Sequence, residues 1–169
     1  MTKEQYIKIT EPLRKNPVRA KQVKNLNHIL TGFVFCMYPL YLLKLLTERN
    51  TWFIRALLVP AVSFVCLSVI RRIINASRPY EKFDIPPVLE KDTTGKSFPS
   101  RHVYSAFIIA FTFMNVSAVN HIFLYVGIVL ALIAMLVAVI RVISGVHFIS
   151  DVFAAFAFAA FIQLISYYL

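Results

Sequence analysis

From Val103 to Ile140 the chain contains no Lys, Arg, Asp or Glu. A helix needs about 20 apolar residues to cross about 30 Å of hydrocarbon, so this run has room for two crossings and no room for a soluble surface. Asn120 and His121 are the polar pair inside it and mark a turn, which gives spans at 103–119 and 122–140. Three further apolar stretches, 29–46, 52–70 and 152–169, fall in the same length class. The whole chain is 59% hydrophobic and only 15% charged, against about 25% charged in soluble domains. These values exclude an ordinary soluble globule, a disordered chain and a disulfide scaffold. The expected fold is all-α: a multi-span membrane helical bundle of about five transmembrane helices plus an N-terminal amphipathic helix.

The charges lie at the edges of this pattern. Residues 1–28 hold seven Lys/Arg against Glu4 and Glu11, within a net charge of +10. Beside so apolar a chain, such a basic segment points to anionic lipid and not to nucleic acid. Two regions follow: a basic amphipathic N-terminal segment, 1–28, and a membrane-embedded domain, 29–169. Tyr6, Ile7, Ile9 and Leu13 predict a short helix lying on the membrane, interrupted by Pro12 and Pro17. The first apolar run starts too late for a secretory signal. Pro39 and Pro60 fall inside spans, where a bundle tolerates kinks. Tyr41, Trp52, Tyr167 and Tyr168 are placed as interfacial anchors. Cys36 and Cys66, inside apolar runs, read as buried free thiols.

Counting crossings collects the remaining polar residues. Arg71, Arg72 and Arg78 follow the second span, and Ser100, Arg101 and His102 precede the third. Arg141 and His147 follow the fourth, and Asp151 opens the fifth. An odd number of crossings never separates these groups, so all emerge on one face. The loop at 75–100, with four of the eight prolines, belongs to that face. Charge at membrane depth is costly unless it is used, so three polar clusters at one end of an apolar bundle form a candidate site.

Their chemistry is complementary. Arg71, Arg78 and Arg141 are permanent, forked donors suited to phosphate oxygens. Ser100 adds a hydroxyl at the start of the third span, where free backbone N–H groups favour anions. His147 and Asp151 stand four apart and share a helix face. A carboxylate on one imidazole nitrogen fixes the tautomer and leaves the other as a nucleophile. His102, from another span, can protonate a leaving group. Taken alone, His147 and Asp151 also suit a structural pair or two metal ligands, with Glu81 or Asp84 as further ligands.

Arg71-x6-Arg78-Pro79, Pro99-Ser100-Arg101-His102 and Arg141-x5-His147-x3-Asp151 together resemble the three-block signature of the type 2 phosphatidic acid phosphatase superfamily. The resemblance implies a phosphohistidine mechanism without a metal or other cofactor. It implies His147 as nucleophile, Asp151 as its partner and His102 as general acid. Arg71, Arg78, Ser100 and Arg141 would hold the phosphoryl group. Three positions depart from the pattern: Arg71 replaces the usual Lys, Arg101 the usual Gly, and Ile140 the usual Ser.

The expected activity is hydrolysis of a lipid phosphate monoester or a polyprenyl diphosphate, with the headgroup at the span ends and the tails in the bilayer. The added Arg101 predicts contact with a second phosphate, and so a preference for diphosphates. The alternative is an anion-binding membrane transporter that uses the arginines without hydrolysis; it has no need of His102 or the His147–Asp151 pair. A metal-dependent hydrolase and a haloperoxidase are the remaining readings. The positive-inside rule favours a cytoplasmic site, whereas the resemblance favours the extracytoplasmic face.

Overall fold

The computed structural model describes residues 1–89, 91, 93–115 and 121–168. Seven helices follow one another: α1 Lys3–Arg14, α2 Pro17–Thr47, α3 Phe53–Ile74, α4 Pro79–Phe83, α5 Arg101–Asn115, α6 His121–Ile143 and α7 Ile149–Tyr168. No strand occurs among the described residues. Four segments are long and apolar enough to cross a membrane, namely α2, the stretch that begins at Phe53, α6 and α7. The expected span at 103–119 is represented by α5; its continuation, and Asn120 of the expected turn, lie outside the described residues.

Local chemistry sets the helix ends. Thr2 and Gln5 cap α1 reciprocally, side chain to backbone in both directions. Asn16 accepts from Arg19 N–H at 3.1 Å and Pro17 takes the first helical position of α2. The chain therefore turns at Lys15–Asn16, and α2 runs unbroken through residue 28 into the bilayer. Pro12, expected to interrupt α1, sits inside it, while Pro17 starts the next helix. At 31 residues α2 is about 46 Å long, so its polar first turns extend beyond the hydrocarbon.

The bundle is organised around α5, which packs most closely on α6 and α7. Its residues Val103 to Ala110 are all buried. Gly127 of α6 permits a close approach: a Cβ there would stand 3.0 Å from the Ala110 carbonyl oxygen. Deep in the bundle, Gln163 donates to the Thr112 hydroxyl at 2.6 Å and accepts from Asn115 at 2.6 Å, so polar groups of α5 and α7 satisfy one another. The exterior is the apolar surface. Leu40, Leu43, Leu58, Val62, Leu132, Leu136, Phe153 and Leu164 are all exposed, which water would penalise and lipid does not.

Two expectations are corrected here. Cys36 and Cys66 are free but exposed, on the lipid-facing exterior. Tyr41 is buried, with its ring stacked on Phe113 at 4.0 Å, so it is a core residue and not an interfacial anchor. Likewise α1 turns Tyr6, Thr10 and Leu13 inward, while Ile7 is exposed.

Candidate active site

All the polar clusters meet at the end of the bundle where α3, α6 and α1 finish and α5 and α7 begin. The loop between α3 and α5 roofs it. Asn75, in the left-handed conformation (φ 42°), ends α3 and turns the chain into this loop. Ser97 N–H donates to the Ala76 carbonyl at 2.9 Å, which joins the loop's two ends. The Glu81 carboxylate accepts from Arg78 N–H at 2.8 Å and from Gly95 N–H at 2.7 Å. Both of its oxygens are thereby engaged by backbone amides of the loop.

Arg71 closes the roof. Its guanidinium donates to the carbonyls of Lys96, Ser97 and Pro99, three residues of the same loop. Arg78 donates through Nε to Gly95 O at 3.1 Å and through Nη1 to Val146 O at 3.3 Å. The same Nη1 stands 3.5 Å from His147 Nε2.

His147 occupies the turn between α6 and α7. Gly145, at φ 74°, supplies the left-handed residue that this turn requires. Val146 N–H and His147 N–H both donate to Arg141 O at 3.2 Å, capping α6. Asp151 lies in the first turn of α7, and its Oδ2 gathers three neighbours: Phe148 N–H at 3.0 Å, Ser97 Oγ at 2.5 Å and His147 Nδ1 at 3.3 Å. The Nδ1 side of the ring thus faces a carboxylate and Nε2 is left toward the cavity. Burial lowers the His147 pKa from 6.5 to about 4; Arg78 and Arg141 push the same way, against the opposing pull of Asp151. The ring is therefore neutral near pH 7.

A cavity of about 480 Å³ opens in front of His147, and Arg71, Arg78, Arg101 and His102 share its wall with Lys91 and Lys96. Two expected phosphate-binding residues stand apart from that wall. Ser100 is fully buried behind it, its N–H donating to Asp151 O at 3.0 Å and its hydroxyl without a partner among the described residues. Arg141 faces an adjoining cavity of about 330 Å³, which also reaches His102 and Lys91. Arg101 is exposed at the rim, with its guanidinium 5.7 Å from the Phe64 ring centre. Arg72 also lines the main cavity, a position that span-flanking charge alone did not suggest.

Sequence reasoning missed Ser97, which bonds the carboxylate behind the histidine, and Lys91, which lies between the two cavities. It also missed Tyr6. The Tyr6 ring is fully buried, and its hydroxyl donates to Gly145 O and Ile85 O at 3.3 Å each, so α1 braces the turn that carries His147.

A helical membrane bundle with a histidine, an aspartate and several arginines gathered at one end defines a class of protein. Residues 52–169 match the PAP2 superfamily, and the chain belongs to that family. No curated protein matches it by sequence search. Solved structures share the fold, among them the following two. The transmembrane PAP2-type phosphatidylglycerolphosphate phosphatase from Bacillus subtilis superposes with a TM-score of 0.71 at 23% identity, covering 96% of this chain and 83% of that one. Aquifex aeolicus LpxE gives 0.72 at 23% identity, covering 98% and 94%.

Proposed function

We propose that this chain is an integral membrane phosphatase that hydrolyses a lipid phosphate monoester or a polyprenyl diphosphate through phosphohistidine at His147. The observation that carries the reading is the division of the His147 ring: Nδ1 toward Asp151 at 3.3 Å and Nε2 toward a cavity walled by arginines and lysines. That arrangement makes an uncharged nucleophile in a field that attracts phosphate.

In the first step His147 Nε2 attacks phosphorus while Arg78, with Arg71 and Lys96 beside it, balances charge on the phosphoryl oxygens. Asp151 stabilises the positive charge that develops on the imidazole. His102, on a different wall of the same cavity, gives its proton to the leaving oxygen. In the second step His102 takes a proton from water, which attacks the phosphohistidine, and inorganic phosphate leaves. Ser100, behind the wall, ties the start of α5 to Asp151, Arg141 adds its charge from the adjoining cavity, and Arg101 receives anionic headgroups at the rim. The similar Bacillus subtilis protein is a phosphatidylglycerolphosphate phosphatase, which supports a lipid substrate. The exposed apolar faces of the bundle support the same setting, with the headgroup at the span ends. We place the site on the extracytoplasmic face.

Purified chain in proteoliposomes should release phosphate from a lipid phosphate, and vanadate should inhibit it. His147→Ala should abolish release while the protein still inserts and unfolds cooperatively. Residual activity within about tenfold of the parent would remove His147 as nucleophile.

A further inference from the structure

Arg55 stands in the first turn of α3, sixteen residues before Arg71, so about 24 Å of helix separates it from the candidate active site. Among the described residues Glu48 is the one acid at that end, and Lys44 holds it at 2.5 Å. Arg55 instead lies against Trp52, its guanidinium carbon 5.0 Å from the ring centre. α3 starts there without a side-chain cap, and the first turn of a helix favours an anion over a cation. A cation at membrane depth with no acid beside it is costly, and a bound anion offsets both penalties. From Arg55 an apolar groove of about 330 Å³ runs along the seam between α3 and α7. Leu58, Val62 and Cys66 follow Arg55 at helical spacing on one wall, and Ile162 and Ile165 form the other. Leu58, Val62 and Cys66 are exposed, so the groove opens sideways to the bilayer. Ser166 borders both this groove and a small void that it shares with Trp52 and Arg55. It is only 5% exposed, and its hydroxyl has no partner among the described residues.

We infer that the groove between α3 and α7 binds an anionic phospholipid of the leaflet opposite the active site, with the lipid phosphate on Arg55 and one acyl chain laid over Val62 toward Cys66. Three matches identify the occupant. One end of the groove is cationic and the rest is apolar, which is the pattern of a lipid and not of a soluble anion. Arg55 and Cys66 are eleven residues, or about 16 Å, apart along α3, and one leaflet supplies about 15 Å of the roughly 30 Å hydrocarbon core. The charge of Arg55 selects the headgroup: a zwitterionic lipid brings an ammonium that competes for its own phosphate, and an anionic lipid does not. The Ser166 hydroxyl is a donor in want of an acceptor, and the ester oxygens of a glycerolipid supply one beside the phosphate. No bond is made or broken at this site, and its distance from His147 separates its lipid from any lipid under attack. Its effect is mechanical. A bound chain joins α3 to α7, the two helices whose other ends carry Arg71 and Asp151.

The test uses the full chain in phosphatidylcholine proteoliposomes and reads lipid contact, so it stands apart from any test of hydrolysis. Trp52 is the only tryptophan in the chain, and a lipid whose chains are brominated next to the glycerol quenches its fluorescence on contact. Brominated phosphatidylglycerol should half-quench Trp52 at about one tenth of the mole fraction that brominated phosphatidylcholine requires, the usual worth of a charge-assisted contact. Arg55→Gln should bring the two lipids within about twofold of each other, and Arg55→Lys, which keeps the charge, should retain the preference. Val62→Phe narrows the groove with Arg55 in place, and should raise the phosphatidylglycerol fraction needed by about fivefold. Equal quenching by the two lipids in the parent overturns the site, as does a preference that survives Arg55→Gln or a Val62→Phe chain that quenches like the parent. Reversal of quenching by inorganic phosphate at constant ionic strength would leave an anion site without a lipid. Quenching that fades as the chain is concentrated in the bilayer, and returns with Val62→Phe, would give the groove to a second copy of this chain. Either result overturns the proposal.

Discussion

Ser97→Ala isolates a contact that no motif contains. Its hydroxyl donates to Asp151 Oδ2 at 2.5 Å and stands 3.4 Å from His147 Nδ1. The residue is fully buried. Removing the hydroxyl leaves Oδ2 with Phe148 N–H at 3.0 Å and His147 Nδ1 at 3.3 Å. A hydrogen bond to a buried carboxylate is worth about 1.5 to 3 kcal/mol. Two remaining partners restrict the loss, which we place near 2 kcal/mol, or roughly thirtyfold in rate if it is felt in the transition state. Because Ser97 acts through Asp151 and touches no phosphate, kcat should fall while KM holds. The assay is phosphate release from a lipid phosphate in proteoliposomes, with thermal unfolding to confirm that the variant folds. A double-mutant cycle with Asp151→Asn supplies the second readout: the two losses should be strongly non-additive, because both act through one carboxylate. Additive losses, or a kcat within about threefold of the parent, would show that Ser97 only packs the loop.

Three further outcomes follow from the same geometry. His102→Ala should cost far more on an alkyl lipid phosphate than on an aryl phosphate, whose leaving group needs little protonation; equal losses would remove it as general acid. The folded chain keeps His147 neutral down to about pH 4 while an unfolded histidine titrates at 6.5. Between those values the unfolded state holds the extra proton, so stability should fall as pH drops, by about 1.4 kcal/mol per unit from this group. His147→Ala should flatten that slope in thermal unfolding between pH 7 and 5, and an unchanged slope would contradict the neutral ring. Gly145→Ala puts a Cβ 2.9 Å from the Tyr6 ring at a φ of 74°; a stability loss of about 2 to 4 kcal/mol is expected, and wild-type stability would show that α1 does not brace this turn.

The parts legible in the sequence were those fixed by cost. A charge-free run such as Val103–Ile140 has few stable solutions, and the crossing count then places Arg71, His102 and His147 at one end whatever the packing. Side-chain depth within a span was not legible, and the reason is physical. In water an apolar residue is drawn inward, but in lipid both sides of a helix are apolar. Tyr41 and Cys36 lie five residues apart on one helix, one in the core and the other exposed, and hydropathy treats their surroundings alike. The start of α2 was misread for a related cause. Polar residues 17–28 looked separate from the span, yet a helix continues past the hydrocarbon once Asn16 and Pro17 have started it. Ser97 was invisible because a serine in a polar loop carries no signal of burial.

The contact between Tyr6 and Gly145 joins residues 139 apart in the chain. During synthesis at about 5 to 20 residues per second, the first helix waits roughly 7 to 28 seconds before its partner exists. For that interval the arginines of the first block are made, but the turn that carries His147 is not. Assembly of the candidate site is thus a late event in biogenesis, gated by completion of α6 and the start of α7. A ribosome stalled before residue 145 leaves a chain that holds the first two polar clusters but neither His147 nor Asp151.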